Sequence, residues 1–214
     1  MLASGGGSNL QALLDAIGRG DLTAEIVGVF SDRPAAPALL RVAEALRWSV
    51  DARMQPDRGQ FDSTLAEAVT GVQPDWIICA GYMRILGNAF VERFRGRLIN
   101  IHPSLLPRHR GLRTHARAIA AGDTLHGASM HFVIPELDAG SVIAQVEIPI
   151  LQDDSAQSLA ARLLPLEHTL MMAVAQLLTA GRLSEHDGKA HLDGHALFRP
   201  MRLDLRGTLA LPSR

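Results

Sequence analysis

Apolar residues occur along this chain in short runs that alternate with longer segments, where they recur at helical spacing. The short runs in the first half predict buried strands over residues 24–31, 48–52, 75–81 and 97–101. The longer segments predict helices over residues 37–46, 58–72 and 88–94. This alternation is typical of an α/β fold with helices on both faces of a mostly parallel sheet.

The pattern changes after residue 101. Residues 103–114 hold two prolines and a glycine, which predicts a loop long enough to carry function. A helix is expected next, over residues 115–121. Strands are then predicted over 127–133 and 141–149, and their link is too short for a parallel crossover, so we expect an antiparallel pair.

The longest helix is predicted over residues 155–180, capped by Asp153 or Ser155. Pro165 lies inside it and predicts a kink or a break. Beyond this helix, the turn signals Asp187-Gly188 and Asp193-Gly194 predict a small hairpin. Residues 203–214 show no clear pattern.

The start of the chain is short for this kind of fold. A doubly wound sheet opens with a full strand that leads into a glycine-rich turn. Here only Met1, Leu2 and Ala3 precede the turn. We therefore expect either a stub in place of the first strand or a chain that begins downstream of the true start.

Composition excludes several classes of protein. At 214 residues with 47% hydrophobic positions, the chain can bury the core of one domain, and no linker or repeat divides it. The 21 basic and 22 acidic residues leave no charge excess of the kind that binds nucleic acid or an anionic membrane. No apolar stretch approaches the ~20 residues of a bilayer span, and no signal peptide precedes the first helix. We expect a cytoplasmic protein with small-molecule partners, and composition leaves a homodimer open.

A glycine-rich turn supplies the first candidate site. Gly7, Ser8 and Asn9 lie immediately before an amphipathic helix, where backbone N–H groups and the helix dipole favour an anion. The turn matches neither a Walker loop nor a dinucleotide fingerprint, so a phosphate monoester is the better candidate. The alternative is a flexible turn with a capping serine.

The second candidate is the pair Asn100 and His102. Two residues apart on a strand, they project to the same side at its carboxyl end, where open α/β sheets bind their ligands. An amide donor beside an imidazole suits an acyl-type transition state, and Pro103 turns the chain out of the sheet. The alternative is a structural histidine at a strand end.

The third candidate is Asp138, which precedes Ala139 and Gly140. Its carboxylate could orient His102 and keep it charged, or it could belong only to a glycine turn. The histidines form no metal signature with the lone cysteine, so no metal is expected. That cysteine, Cys79, is expected to be a small buried hydrophobe.

Taken in order along the chain, several segments resemble the phosphoribosylglycinamide formyltransferase family of folate-dependent enzymes. The matching segments are residues 4–11, 80–86, 100–107, 127–133, 137–140, 167–168 and 181–183. The match runs from residue 2 to about residue 195, and the ordered set is far more specific than any one motif.

The resemblance implies a Rossmann-like three-layer fold with a mostly parallel seven-stranded sheet whose C-terminal portion is antiparallel. It implies one domain over residues 1–214. Residues 1–100 form the half that binds the phosphorylated substrate, 101–195 the folate and catalytic half, and 196–214 a tail. The implied reaction of purine biosynthesis transfers the formyl group of 10-formyltetrahydrofolate, a co-substrate, to the amine of glycinamide ribonucleotide.

The resemblance also assigns roles by position. The implied catalytic residues are Asn100, His102 and Asp138. Phosphate and ribose contacts are implied for Gly7, Ser8, Asn9 and Glu167. Folate contacts are implied for Arg58, Met83, Arg84, Ile85, Leu86, Asn100, Ala139 and Gly140, with Pro103 and Ser129 in support. Asn100 and protonated His102 would stabilise the oxyanion, while Asp138 would keep His102 charged and assist proton transfer.

The sequence departs from the family pattern in its short first strand and at Leu164, Met171-Met172 and Arg113. None of these positions is an implied catalytic residue. Methionyl-tRNA formyltransferase has an added barrel domain and a basic surface, which do not fit this chain. The alternatives that stay open are a formyltetrahydrofolate hydrolase and a non-catalytic nucleotide-binding protein of the same fold.

Overall fold

The alternation of strands and helices predicted for the first half is present in the computed structural model, which describes residues 1–204 and 207–210. The α-helices are α1 (Ser8–Arg19), α2 (Arg58–Gly71), α3 (Asn88–Arg93), α4 (Thr114–Ala120) and α5 (Ala156–Thr179). The strands of the first half are β1 (Val29–Ser31), β2 (Arg47–Ser49), β3 (Ile77–Ala80) and β4 (Leu98–His102). Those of the second half are β5 (Leu125–Phe132), β6 (Val142–Pro149), β7 (Leu183–His186), β8 (Lys189–Leu192), β9 (His195–Ala196), β10 (Met201–Leu203) and β11 (Leu209–Ala210).

The first three residues join the strands into one sheet. Leu2 forms parallel bridges to Phe30 on one side and to Cys79 on the other. The order is therefore β2-β1-Leu2-β3-β4-β5-β6-β10-β11. From β2 to β6 this gives the seven members expected, and β10 and β11 extend the sheet.

The direction of the strands follows the prediction. β1 and β2 are parallel, as are β3 and β4, whereas β4–β5 and β5–β6 are antiparallel. The sheet is thus mostly parallel, with its antiparallel portion in the second half of the chain.

The C-terminal region is more ordered than its sequence pattern indicates. β10 adds to β6 in parallel and β11 pairs with β10, so residues 209–210 form a strand where the sequence shows no clear pattern. Residues 205–206 and 211–214 lie outside the described residues. The predicted hairpin is a three-stranded antiparallel unit, β7-β8-β9.

Three further expectations need correction. The strand predicted over 24–31 pairs as a strand only from Val29 to Ser31, where it lies beside β2 and Leu2. The helix predicted over 37–46 is two 3-10 turns, Pro37–Arg41 and Glu44–Leu46, because Val42 is extended. α5 passes through Pro165 without a break, and Ser155 caps it in a capping box with Ser158.

Two helical layers cover the sheet. α1 and α5 pack on one face, where Leu13, Leu163 and Leu170 are buried with the apolar side chains of β5 and β6. α2 and α3 pack on the other face through Phe61 and Phe90. Cys79 is buried in that second layer, and burial raises the pKa of its thiol to about 12, which confirms its role as a small hydrophobe. None of the described helices is long and apolar enough to span a membrane.

Candidate active site

The candidate residues gather at one edge of the sheet, where the N-terminal segment, β3 and β4 end. The glycine turn follows Ala3, residues 81–86 follow β3, and Asn100 and His102 close β4. Ser4 connects the first two segments, because its N–H donates to Gly81 O (3.0 Å) and its Oγ accepts from the Met83 N–H (2.9 Å). Parallel strands therefore bring the sequence-distant candidates to a common edge.

Asn100 is held by a histidine on the neighbouring strand. Antiparallel pairing of β4 and β5 places His131 opposite Asn100, and Asn100 Nδ2 lies 3.1 Å from His131 Nε2. His131 Nδ1 lies 2.8 Å from Phe132 O, a carbonyl that can only accept, so Nδ1 carries the proton and Nε2 accepts from Asn100. Burial lowers the pKa of His131 to about 4, which keeps this ring neutral at physiological pH.

His102 and Asp138 face each other inside the protein. His102 Nδ1 lies 3.5 Å from Asp138 Oδ2, and both side chains are more than nine-tenths buried. Asp138 Oδ1 is also 3.7 Å from His131 Nε2. Asn100, His131, Asp138 and His102 thus form a continuous polar chain.

The loop after β4 covers this chain. His102 Nε2 lies 3.1 Å from the His109 carbonyl, and the Gly111 N–H donates to Asp138 Oδ2 at 2.8 Å. His109 is anchored in turn, since its Nε2 is 2.6 Å from the buried carboxylate of Asp123. A substrate that contacts His102 Nε2 must displace the His109 carbonyl.

Ser129, expected to support the site, fixes the first part of this loop. Its Oγ donates to Ser104 O (2.7 Å) and accepts from the Leu106 N–H (3.1 Å). Gln145 on β6 donates both to Ser129 Oγ and to Leu106 O, at 2.9 Å each. Pro103 lies between β4 and these contacts, at the point where the chain leaves the sheet.

The glycine turn is tightly constrained where it meets α1. Gly7 has φ 71°, and a Cβ there would lie 2.7 Å from Ala38 Cβ, so only glycine fits. α1 begins at Ser8 with no side-chain cap, which leaves the N–H groups of its first turn without intrahelical acceptors.

Asn9 and Glu167 lie together beside this turn. Asn9 is nine-tenths buried, it donates to Glu167, and its Oδ1 has no hydrogen-bond partner among the described residues. Burial raises the pKa of Glu167 to about 7, against the opposing effect of the Asn9 hydrogen bond. A buried acceptor and a half-neutral carboxyl suit a ligand that brings its own hydrogen-bond donors.

Asp62 connects two of the segments that are expected to bind folate. Its Oδ2 accepts from the Gly87 N–H (2.8 Å) and lies 3.6 Å from Arg58 Nε, so it joins α2 to the segment after β3. Burial raises the pKa of Asp62, while the nearby guanidinium groups oppose the rise. Arg84 stacks its guanidinium 4.8 Å from the Phe61 ring centre.

The apolar members of that segment differ in exposure. Met83 and Ile85 are about half exposed (52% and 53%), whereas Leu86 is buried in the core. Leu112 and Leu137 are also exposed on the covering loops. Such side chains offer apolar surface to a ring system at the edge of the site.

Comparison with known proteins identifies the family of this chain. The sequence matches the formyl transferase family over residues 1–175. The chain belongs to the formyl transferase family. It is 41% identical over 199 residues to the phosphoribosylglycinamide formyltransferase of Escherichia coli (strain K12), which covers 92% of this chain and 94% of that protein.

Solved structures of the formyl transferase family share the fold. The phosphoribosylglycinamide formyltransferase of Coxiella burnetii has a TM-score of 0.86 at 42% identity, covering 99% of this chain and 97% of that one. A formyltetrahydrofolate deformylase from Pseudomonas syringae has a TM-score of 0.79 at 25% identity, covering 89% of this chain and 64% of that one.

Within this formyl transferase, the structure joins some predicted residues directly and others only through the backbone. Asn100, His102 and Asp138 are linked by side chains, as are Asn9 and Glu167. Ala139 and Gly140 follow Asp138 in a turn, where a Cβ on Gly140 would lie 1.9 Å from Phe132 O. Close packing on β5 therefore requires the glycine.

Sequence reasoning missed His131, Gln145 and Asp62. His131 is part of a segment that resembles the family, but its place opposite Asn100 depends on the register of β4 and β5. A signal was present for Asp62, which lies four residues after Arg58 on the same helix and so shares its face.

Proposed function

We propose that this formyl transferase moves the formyl group of 10-formyltetrahydrofolate to the amine of glycinamide ribonucleotide, a step of purine biosynthesis. The observation that carries the proposal is the buried chain Asn100–His131–Asp138–His102 at the same sheet edge as an anion-binding glycine turn. The identity to the Escherichia coli phosphoribosylglycinamide formyltransferase over nearly the whole chain supports it.

In this proposal the glycine turn holds the phosphate. The N–H groups of Gly7, Ser8 and Asn9 point to an anion at the start of α1, with the helix dipole adding to the attraction. Glu167 accepts hydrogen bonds from the ribose hydroxyls once it is ionised, which its pKa of about 7 allows at neutral pH. These residues leave the glycinamide amine directed along the sheet edge.

The folate lies between the proposed phosphate-binding half, residues 1–100, and the catalytic half, residues 101–195. Met83 and Ile85 supply apolar contact, and Arg58 lies nearby as a partner for the acidic end of the co-substrate. Arg84, Leu86 and the turn at Ala139 and Gly140 shape the walls. The co-substrate supplies the activated formyl group, and the protein orients it.

The catalytic group acts on the oxygen that gains negative charge when the amine adds to the formyl carbon. Asn100 Nδ2 has two hydrogens, of which one is engaged by His131, so the second can donate to that oxygen. His102 Nε2 adds a charged donor once the His109 carbonyl has moved. Donors fixed before the reaction begins are worth ~10²–10³ each in rate.

Asp138 completes the proposed mechanism. The Asp138 carboxylate faces Nδ1 of His102 at 3.5 Å and so sets the orientation of the ring. The same carboxylate, through a water, carries the amine proton towards the leaving folate nitrogen. The formyl carbon gains one C–N bond and loses another, and the proton moves from the attacking to the departing nitrogen.

One assay separates this proposal from its alternatives. The purified protein is incubated with glycinamide ribonucleotide and 10-formyltetrahydrofolate, and formylglycinamide ribonucleotide, tetrahydrofolate and formate are measured. Equal amounts of the first two products without formate are expected. Formate release independent of the amine would instead indicate a formyltetrahydrofolate hydrolase, and ligand binding without any product would indicate a non-catalytic protein.

A further inference from the structure

Arg41 lies directly against the glycine turn. It ends the 3-10 turn Pro37–Arg41, and its Nε donates to the Gly6 carbonyl at 2.6 Å. Its Nη1 donates to Gln11 Oε1 on α1 at 2.8 Å. One residue thus holds both the turn and the helix that follows it.

The carbonyls of the glycine turn point towards the segment that carries Arg41. The Gly5 carbonyl accepts from the Ala38 N–H at 3.0 Å, and the Gly6 carbonyl accepts from Arg41. In a trans peptide the C=O and the following N–H point in opposite directions. The N–H groups of Gly6 and Gly7 therefore point away from this segment, and within residues 1–204 and 207–210 they have no acceptor.

The charge of Arg41 is also unmatched. No carboxylate of the described chain lies within ion-pair distance of its exposed guanidinium, and only two of its five N–H donors are engaged. The turn thus combines oriented N–H groups, the start of a helix and a cation without a counter-ion. The buried Oδ1 of Asn9, in the same helical turn, has no partner among the described residues, so it can accept from a hydroxyl of the sugar that carries the phosphate.

We propose that Arg41 positions the Gly6 and Gly7 N–H groups for a phosphate monoester and supplies part of the positive charge that selects it. This inference rests on the proposed function only in naming the phosphate carrier. Arg41 acts through the Gly6 carbonyl, so it is a positioning residue and takes no part in formyl transfer.

The test compares Arg41→Gln, Arg41→Lys and Arg33→Gln. Arg33 is an exposed arginine before the same 3-10 turn, so its substitution controls for the loss of one positive charge. Calorimetry measures the Kd of each protein for glycinamide ribonucleotide and for its dephosphorylated riboside. Since hydrogen bonds to charged groups are worth about 10–100-fold, Arg41→Gln should weaken ribonucleotide binding by that factor and leave riboside binding unchanged.

Arg41→Lys keeps the charge but loses the two-point contact, so its Kd should fall between those of wild type and Arg41→Gln. In steady-state kinetics the loss should appear in the KM for the ribonucleotide, with kcat within about twofold of wild type, as uniform binding requires. The inference is overturned if Arg41→Gln binds the ribonucleotide like Arg33→Gln, or if riboside binding falls by the same factor.

A second pair of probes keeps this test independent of the proposed reaction. Ribose 5-phosphate and ribose carry the same phosphate difference without the glycinamide group. A protein that fails to transfer formyl groups but binds ribose 5-phosphate in an Arg41-dependent way would refute the proposed function and support the inference. Formyl transfer with phosphate affinity independent of Arg41 would do the reverse.

Discussion

His131 in the buried polar chain has a geometric reason for its neutral state. His131 is neutral because it is buried and its Nδ1–H is committed to a carbonyl, so Nε2 can only accept. Because His131 Nε2 accepts, the Asn100 amide must present its Nδ2 donor to that nitrogen. Asp138, with Oδ2 on His102 and Oδ1 near His131, lies between the two imidazoles.

At this scale we predict that His102 and Asp138 act as a unit. His102→Ala and Asp138→Asn should each lower kcat by ~10²–10³, because the first removes the His102 donor to the oxyanion and the second removes the carboxylate that orients it. Asparagine can still accept from the Gly111 N–H, so the loop is retained and the charge alone is lost. The double variant should be little slower than the slower single variant. Losses that multiply would contradict the coupling.

A pair of histidines outside this chain makes stability depend on pH. His126 Nε2 lies 2.9 Å from His115 Nδ1, and burial lowers the pKa of His126 to about 4 and also lowers that of His115. The unfolded chain takes up these protons near pH 6.5 while the folded chain does not. The stability that depends on this histidine pair is therefore fully present above pH 6.5 and is lost as the pH falls towards 4.

The measurement is the urea midpoint at pH 7.5 and at pH 5. Wild type should lose more stability over this interval than His126→Gln, whatever their absolute values. His195→Asn, at an exposed position of β9, serves as the matched control and should follow wild type. Parallel losses in wild type and His126→Gln would contradict the assignment.

At the scale of elements, the glycine turn and α1 form one unit whose two ends differ. Gly7 and Gly20 both have positive φ, at 71° and 79°, before and after the same helix. A Cβ on Gly7 meets Ala38, whereas a Cβ on Gly20 meets nothing within 4 Å. The left-handed conformation alone costs alanine ~1–2 kcal/mol at either position.

Gly7→Ala should therefore lower stability and also raise the KM for glycinamide ribonucleotide, by about tenfold or more, since the turn must move and its charged hydrogen bonds are lost. Gly20→Ala should lower stability alone. Thermal melts and steady-state kinetics of both variants decide the matter. If Gly20→Ala raises KM as much as Gly7→Ala, the effect belongs to helix stability and not to the turn.

The elements also show where sequence reasoning succeeds. Helices with a long apolar face, such as α2, and the antiparallel pair β5–β6 were predictable because periodicity and link length are local properties. The two 3-10 turns after β1 and the strand β10 were not, because packing on the glycine turn and pairing with β6 decide them.

The same division holds for the site. Asn100 and His102 were predictable because they share one face at the end of one strand. Asp138 needed the family resemblance, since its approach to His102 depends on a turn with φ 48° at the aspartate itself. His131 depended on strand register, and Arg41 on a contact between residues 35 positions apart in the chain.

For the whole molecule, the centre of the sheet depends on its first three residues. Leu2 bridges β1 and β3, and beyond it the sheet opens into a cavity of about 500 Å³. Leu13, Ile17 and Phe30 are among the apolar residues that line it. The Met1 ammonium lies in this cavity and donates to Gly28 O at 2.7 Å, and burial lowers its pKa to about 6.

Residues added before Met1 that continue the strand should therefore stabilise the protein without altering its chemistry. An extension of about five residues with alternating apolar side chains would pair with residues 24–28 and fill the cavity, at ~0.8 kcal/mol per buried CH₂. A Gly-Ser extension of equal length moves the N-terminal amino group out of the cavity but fills nothing, so it is the matched control.

The apolar extension should have the higher Tm of the two extended proteins. Its kcat should equal that of the unextended chain, because Asn100, His102 and Asp138 lie on other elements. Both extensions should also abolish the loss of stability that the unextended chain shows as the pH falls from 8 to 6, where the unfolded chain protonates its N-terminal amine and the folded chain does not. An apolar extension that melts no higher than the Gly-Ser one would show that the cavity is not a strand site.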